Sequence, residues 1–110
     1  MVERNAKIED TMFGLEDHGI MTFFVYFDYG DSTHQGFGGY ALDGASGKKG
    51  HPKSITALRR VLEVVGVMKW EQLKGKYCRV RREDGWNGKI VAIGHIIEDN
   101  WFDIEAHYKE

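Results

Sequence analysis

The stretch that most constrains the fold of this chain runs from Gly75 to Phe102, where two strand-like segments flank a short turn. The turn, DGWNG at residues 84–88, contains the Gly, Asp and Asn residues that tight turns favour. The segment before it, KYCRVRRE, alternates small apolar with aromatic and basic residues. In the segment after it, KIVAIGHII, both alternating sets are apolar apart from His95. This pattern predicts an antiparallel β-hairpin.

Three further strands are predicted upstream of this hairpin. KIEDTMFGL, residues 7–15, is rich in strand-forming residues. Residues 20–27, IMTFFVYF, are apolar at both alternations, which indicates a strand covered on both sides or one that enters an oligomer interface. GFGGYALD, residues 36–43, has three glycines in four positions. These glycines favour close packing against the backbone, and a ligand lying on the bare backbone is the alternative.

One main helix is predicted between Pro52 and Gly66, because apolar residues recur there at three- and four-residue spacing. Pro52 or Lys53 suits the first turn, with Ser54 as an alternative cap, and Gly66 suits the left-handed closing position. The expected buried stripe consists of Ile55, Leu58, Val61, Leu62 and Val65. A loop is predicted over residues 43–51, a short helical turn over 70–73, and a short helix or frayed tail capped by Asp103 at the C-terminus.

These segments predict one α+β domain, residues 1–110, with the order β-β-β-α-β-β. Its antiparallel sheet of about five strands packs against one main helix. The chain has the length of a single domain with one core. Since one helix can cover only one face of a sheet, the two-sided apolar segments at residues 20–27 and 90–97 predict a homodimer that buries the other face.

The cellular location is predicted from the cysteine count and the absence of apolar runs. Cys78 is the one cysteine, which excludes an intramolecular disulfide and a CxxC metal site and fits a reducing compartment. The first ten residues, MVERNAKIED, are charged, and no apolar run approaches the roughly 18 residues that span a bilayer. We therefore expect a cytoplasmic protein with no membrane partner.

Charge is distributed along the chain in blocks. Residues 1–45 carry a net charge of −6, residues 46–89 carry +8, and residues 90–110 carry −4, which gives the overall −2. Blocks of this kind bear on partners and association rather than on fold. We expect the blocks to neutralise one another largely across the folded surface.

Basic and aromatic residues gather in the C-terminal hairpin, and they form the predicted partner-binding site. Guanidinium groups match phosphate oxygens and carboxylates, and aromatic faces stack on bases. An acidic protein partner and a nucleotide or nucleic acid therefore stay open as ligands. The alternative is a solvated strand whose arginines stack on Tyr77 and pair with Glu83, Asp84 or the acidic N-terminal block. The predicted site residues are Tyr77, Arg79, Arg81, Arg82, Trp86 and Lys89.

Trp86 lies among turn residues, where a large apolar ring folds back or meets a partner. Folding back onto Tyr77 or Ile90 is the expectation. The sequence pI of about 6.2 argues against general nucleic-acid binding, for which a strongly basic domain is typical.

Catalytic motifs are absent from the sequence. The five histidines form no HExxH or HxH spacing, the serines lack a GxSxG elbow, and Cys78 in mid-strand is predicted to be a buried apolar residue. Pairing of the first two strands would bring polar groups together for metal-assisted hydrolysis, built from His18, Asp28 and His34. This enzyme is a secondary alternative, so we predict no catalytic residue, metal or cofactor. The accompanying polar residues are Glu16, Asp17 and Asp31.

Three segments, GFGGYALD, RRVLEVVGV and WEQLKGKYCRVRREDGWNGKIVAIGHIIEDNWF, resemble small uncharacterised proteins encoded by bacteriophages and prophages. The likeness covers residues 7–103. It implies a mobile-element accessory protein of the bacterial cytoplasm that binds a host protein, as an anti-CRISPR-like inhibitor of bacterial defence. No residue role comes with the resemblance. A binder of a nucleotide signal or another phosphate-bearing small molecule is the alternative function.

Overall fold

The computed structural model describes residues 1–44 and 50–109. The predicted loop at 43–51 and the C-terminal tail therefore fall partly outside the described residues, at positions 45–49 and 110. No helix within the described ranges is long and apolar enough to cross a membrane. The elements are β1 (Val2–Leu15), β2 (Met21–Asp28), β3 (His34–Gly38), α1 (Ser54–Val65), a 3-10 turn (Trp70–Gln72), β4 (Tyr77–Arg82), β5 (Ile90–Gly94), β6 (Trp101–Asp103) and α2 (Ile104–Tyr108).

The strands form one antiparallel sheet in the order β3-β2-β1-β4-β5-β6. The long strand β1 joins two halves of this sheet. Its residues 2–7 pair with β4, and its residues 7–15 pair with β2 across a bulge between Ile8 and Asp10. The predicted α+β class and antiparallel sheet are confirmed. The prediction of about five strands omitted β6, which has only three residues and pairs with β5.

Helix α1 packs on one face of the sheet, at the position predicted from the sequence. The residues that it buries differ in part from the predicted apolar stripe. Ala57, Val61 and Val64 are completely buried, whereas Ile55 is 76% exposed. Small residues at the contact let the helix approach the sheet closely. Gly66 ends the helix at a φ of 88°, and its N–H donates to the Leu62 carbonyl.

Ser54 does not cap α1. Lys53 is the N-cap residue and makes no side-chain capping bond, and Ser54 is the first helical residue. Its buried hydroxyl donates to the Leu42 carbonyl oxygen at 2.9 Å. The residue therefore links the helix to the chain that follows β3, because a buried hydroxyl needs a partner.

Two predicted strands are shorter in the structure. The third spans His34–Gly38 rather than residues 36–43, because Gly38 and Gly39 take φ values of 120° and 82° that end the regular strand. The fifth ends at Gly94 rather than at Ile97. There the His95 Nδ1 accepts backbone N–H groups from residues 97 and 98, which turns the chain toward β6.

The two predicted short helices are both present. The 3-10 turn places Trp70 against Phe13 and Phe23, with ring centroids 5.9 and 5.7 Å apart. Helix α2 begins after Asp103, whose Oδ1 accepts the N–H of Ala106 at 3.0 Å, as the predicted cap requires.

The two faces of the sheet differ in what covers them. The core face holds Phe23, Val25 and Phe27 of β2, buried with residues of α1 and α2 in one cluster. In the part of the chain that the structure describes, neither α-helix packs on the opposite face, which we call the open face. Its side chains, by strand alternation and register, include Glu3, Asn5, Lys7, Asp10, Met12, Phe24, Tyr26, Tyr77, Arg79, Arg81 and Trp101.

Candidate binding surfaces

Strand β4 divides the predicted partner-binding residues between two sides of the sheet. Cys78 and Val80 are completely buried in the core, and Tyr77 is 58% exposed on the open face, as the alternation predicts. Arg79 and Arg81 accompany Tyr77. Arg82 belongs to the other alternation and lies with Trp86 along a cleft on the core side. The six predicted residues therefore do not form one surface.

On the open face, Arg79 and Arg81 are stacked over the indole of Trp101. Their guanidinium carbons lie 4.8 and 3.8 Å from the Trp101 ring centroid. Arg81 Nε donates to a carboxylate oxygen of Glu3 at 3.3 Å, and Arg79 Nη1 lies 3.6 Å from the other oxygen. The arginines thus pair with the acidic N-terminal block, as the alternative of a solvated strand predicts. The stacking partner is Trp101 rather than Tyr77.

The two arginines differ in how firmly they are held. Arg79 donates from Nε to the His95 carbonyl at 2.8 Å and from Nη2 to the Glu98 carbonyl at 2.7 Å. This side chain fastens the loop before β6. Arg81 makes a single hydrogen bond within the described residues, from Nε to Glu3. Its terminal nitrogens donate to no group within the described residues, and the side chain is 37% exposed.

Glycines on the open face support flat aromatic rings. A Cβ on Gly94 would lie 2.5 Å from the Trp101 ring, and one on Gly39 would lie 2.8 Å from the Phe24 ring. Phe24 and Tyr26 are themselves stacked, with centroids 5.5 Å apart. The packing explanation for the glycine-rich segment is thus supported for Gly39, because an aromatic ring occupies the space above its backbone.

The turn between β4 and β5 is braced from within. Arg82 donates through Nη2 to the Gly85 carbonyl and through Nε to the Gly88 carbonyl. A Cβ on Gly88 would collide with the Glu83 carbonyl oxygen, so this position requires glycine. The Glu83 N–H in turn donates to the Lys89 carbonyl at 2.9 Å. These bonds give the turn a defined shape.

Trp86 projects from this turn into solvent. Its side chain is 93% exposed, so the expected fold-back onto Tyr77 or Ile90 is wrong for the described structure. An indole held outward on a braced turn is typical of a contact residue.

A cleft of about 430 Å³ lies between this turn and the β2–β3 connection. Arg4 reaches it from β1, and its guanidinium carbon lies 4.5 Å from the centroid of the Tyr29 ring. The Tyr29 hydroxyl donates to Gln35 Oε1 at 2.6 Å, and Gln35 Nε2 donates to the Gly88 carbonyl at 2.5 Å. This relay ties the two walls of the cleft together.

Ionisation in the cleft is set by neighbouring groups. The pKa of Asp31 is lowered to about 2, first by the hydrogen bond from the Thr33 hydroxyl and then by that from Arg4. Burial raises the pKa of Tyr29, against the smaller opposing effects of Arg82 and Arg4. At neutral pH the cleft lining therefore contains a neutral phenol and two guanidinium groups, with the Asp31 carboxylate paired to Arg4 beside it.

Lys89 pairs with helix α2 and is not among the described residues that line the cleft. Its Nζ pairs with Glu105 Oε1 at 2.5 Å, which raises the pKa of Lys89 and lowers that of Glu105. This pair joins the basic middle block of the chain to its acidic end, as the Glu3 pairs join the middle to the acidic beginning. These cross-block pairs agree with the expected neutralisation of charge across the surface.

The predicted hydrolase residues are not assembled. His18 lies in the β1–β2 turn, whereas Asp28 and His34 lie at the far end of β2, a separation on the order of 20 Å for eight strand residues. The third residue near Asp28 and His34 is Glu9 rather than His18. Each of these three residues has one potential ligand atom, and the three atoms lie within 4.8 Å of one another. Two carboxylates and an imidazole could hold a divalent ion. His34 Nδ1 already contacts both Glu9 oxygens, at 2.9 and 3.1 Å.

The remaining candidate groups have structural roles. Glu16 accepts backbone N–H groups from His18 and Ile20, which shapes the β1–β2 turn, and its pKa is lowered chiefly by the His18 side chain. Burial raises the pKa of the Cys78 thiol to about 12. A thiol in that state is not a nucleophile at neutral pH. The prediction that Cys78 is a buried small apolar residue is confirmed.

No family model matches this chain, and a search of curated proteins finds no match. The resemblance to phage-encoded proteins therefore stays a prediction. The binding surfaces have to be judged by their own chemistry.

Several residues of these surfaces were not predicted from the sequence. Trp101 and Glu3 complete the open-face arginine stack, while Arg4, Tyr29 and Gln35 complete the cleft. The alternation in β4 could have separated Arg82 from Arg81. No sequence signal places Arg4 and Arg82 on one cleft, because their shared location depends on the pairing of β1 with β4.

Proposed function

We propose that this protein is a non-enzymatic binding protein that docks on a different protein through the open face of its sheet. The observation that carries the proposal is the composition of that face. Beside the charged residues Glu3, Lys7 and Asp10, it presents aromatic residues, methionine and arginine on a sheet surface that neither described α-helix covers. Residues of these types are enriched in protein interfaces and in their energetically dominant positions.

The charges of the open face define the chemistry of the partner. Arg81 is stacked on Trp101 and anchored by Glu3 through one nitrogen, so its other N–H groups are held in a fixed direction. A guanidinium group fixed in this way can bind a carboxylate with both terminal nitrogens. We therefore expect the partner to offer an acidic side chain to Arg81 and an apolar group to Tyr77.

Preorganisation strengthens the proposal. The Phe24 and Tyr26 rings are stacked on each other, and the Trp101 ring lies on the bare backbone of Gly94. Rings already held in place lose little conformational freedom when a partner binds. The face therefore resembles an interface more closely than a solvated strand.

We further propose that the partner is a protein of a bacterial host. The resemblance to phage and prophage proteins supports a host protein, and inhibition of a bacterial defence complex, anti-CRISPR-like, is the function that this likeness implies. This part of the proposal rests on the resemblance alone. The surface chemistry supports protein binding whatever the partner is.

The test is affinity capture from a bacterial lysate with three versions of the protein, followed by titration with the purified captured partner. Tyr77→Ala removes an exposed aromatic ring from the open face. Arg59→Ala, on the outer side of α1 with its side chain 75% exposed, is the matched surface control. We expect the wild type and the control to bind the same protein with equal affinity, and Tyr77→Ala to bind it at least tenfold more weakly.

Equal binding by all three versions would overturn the proposal, since a docked interface is disturbed by loss of a central ring. The predicted homodimer would use the same face and gives a different result. Light scattering that shows a dimer, converted to a monomer by Tyr77→Ala, would assign the face to a second copy and would also overturn the proposal of a different partner.

A further inference from the structure

We propose that the cleft beside the β4–β5 turn binds a mononucleotide-type ligand, with its phosphate at Arg4 and Arg82 and its base on Trp86. The cleft and the open face lie on opposite sides of β4. The inference therefore stands apart from the protein-binding role of the open face.

The size of the cleft suits a small ligand. Its volume of about 430 Å³ falls at the lower end of the roughly 300–1,000 Å³ typical of small-molecule sites. Its lining combines cationic, aromatic and carboxamide side chains, which are the groups that recognise phosphates, rings and base edges. They are Arg4, Tyr29, Gln35, Arg82, Trp86 and Asn87.

The charge of the cleft favours an anion. Arg4 is paired with Asp31, with 2.9 Å between Nη2 and Oδ2. Within the described residues Arg82 forms no ion pair, and its donors face the carbonyl oxygens of Gly85 and Gly88. Carbonyl dipoles orient a guanidinium group but leave its full charge. Among the described residues that line the cleft, two are arginines and none carries a carboxylate, whereas Asp31, Glu9 and Asp28 lie beside it. A phosphate that enters the cleft would therefore meet the two guanidinium groups first.

Trp86 provides the surface for a planar ring. Its exposure of 93% means that nearly the whole indole is accessible, and it borders the same cleft as the two arginines. Stacking of a base on an aromatic side chain is a common and sequence-tolerant contact in nucleotide recognition. A cation pair beside a free indole therefore matches a ligand with an anionic end and an aromatic end.

The walls of the cleft are held in place before a ligand arrives. The relay from Tyr29 through Gln35 to Gly88 connects the β2–β3 segment to the turn. Arg82 braces the same turn from inside. A site fixed by such bonds loses less entropy on binding than a mobile loop would.

The observations favour a mononucleotide over a polynucleotide. The whole chain has a net charge of −2, and acidic residues flank the cleft at Glu9, Asp28 and Asp31. Polynucleotide binding depends on several phosphate contacts along an extended basic surface. The cleft offers two guanidinium groups at one place, which suits one phosphate group.

The experiment is an NMR titration that follows the three indole N–H signals of uniformly ¹⁵N-labelled protein, with the Trp86 signal identified from its loss in Trp86→Ala. The probes are the four nucleoside monophosphates, a nucleoside without phosphate, inorganic phosphate, and a short single-stranded DNA. We expect at least one monophosphate to shift the Trp86 signal saturably at millimolar concentration, with the Trp70 and Trp101 signals unchanged.

Variants then assign the contacts by calorimetry with the best monophosphate. Trp86→Ala and Arg4→Ala should each weaken binding by about tenfold, the loss expected from one stacked base or one charged contact. Inorganic phosphate and the free nucleoside should each bind at least tenfold more weakly than the monophosphate. The matched control is Arg59→Ala, on the outer side of α1, which should bind as the wild type does.

Several results would overturn the inference. The first is the absence of any saturable shift of the Trp86 signal with all four monophosphates. The second is binding that survives in both Trp86→Ala and Arg4→Ala. Far tighter binding of the DNA than of any monophosphate through these residues would replace the proposed ligand by a polynucleotide.

Discussion

Arg81 and Arg82 are neighbours in sequence, yet they belong to two different surfaces. Arg81 lies on the open face, stacked on Trp101 and anchored to Glu3. Arg82 lies on the other side of β4, where its hydrogen-bond acceptors are carbonyl oxygens of its own turn. The first arginine is part of a broad aromatic face that suits a protein. The second keeps its charge beside a small cleft that suits an anion.

This difference shows that a run of basic residues on a strand is not one electrostatic patch. Strand alternation sends successive side chains to opposite faces, so charges adjacent in sequence act on different partners. The acid that neutralises Arg81 comes from a distant segment, whereas Arg82 forms no ion pair within the described residues. Glu3 reaches Arg81 from the N-terminus, whereas Arg4, one residue later, faces the cleft of Arg82.

The largest difference between the two surfaces is expected when the tryptophan of each is replaced by alanine and the free energies of unfolding are compared. Trp101→Ala removes a partly buried ring that supports two arginines, and we expect the free energy of unfolding to fall by about 3 kcal/mol. Trp86→Ala removes an exposed ring and should change it by less than about 0.5 kcal/mol. Urea denaturation of both variants measures the contrast. Equal losses of stability would contradict the described placement of the two rings.

A smaller loss is expected from filling the space under Trp101. A Cβ at Gly94 would lie 2.5 Å from the indole, so Gly94→Ala should displace the ring and cost about 1–3 kcal/mol of unfolding free energy. Gly14→Ala is the control, because a Cβ there meets nothing within 4 Å and the φ of Gly14 is not positive. If the two variants denature at the same urea concentration, Trp101 does not rest on Gly94.

The ion pair between Arg4 and Asp31 can be tested by a pH titration that leaves the protein folded. Hydrogen bonds from Thr33 and Arg4 favour the ionised form of Asp31, so its pKa in the folded protein should be about 2 rather than 3.8. The resulting stabilisation is complete above the ordinary pKa and is lost as the pH falls through about 2. An NMR titration of the Asp31 carboxyl carbon measures this midpoint.

Thr33→Val is the control for this titration, since it removes the hydroxyl that contributes most to the lowered pKa of Asp31. The midpoint should then move up toward 3.8. A midpoint near 3.8 in the unaltered protein would mean that Arg4 and Thr33 do not hold the carboxylate as described.

The parts of the fold that could be predicted are those governed by local periodicity. Alternation in KYCRVRRE correctly separates Cys78 and Val80 from Tyr77, and the three- to four-residue spacing correctly locates α1. The prediction of which α1 residues are buried was partly wrong, because it chose Ile55, the more hydrophobic side chain, over Ala57. Close packing selects the smaller residue at the contact.

The surfaces were harder to predict because they depend on long-range pairing. Strand β6 has three residues, too few to show an alternation, so the position of Trp101 over Gly94 had no local signal. The first residues of β1 are polar and look unlike a strand, although pairing with β4 brings Glu3 and Arg4 to opposite faces. Trp86 was expected to fold back, but its ring is 93% exposed.

The most direct test of the two-surface account compares Tyr77→Ala with Trp86→Ala in a calorimetric titration with the protein partner. Both variants remove one exposed aromatic ring, from opposite sides of β4. The account predicts at least a tenfold loss of partner affinity for Tyr77→Ala and wild-type affinity for Trp86→Ala. The reverse order, or equal affinities for the two variants, would contradict the assignment of protein binding to the open face.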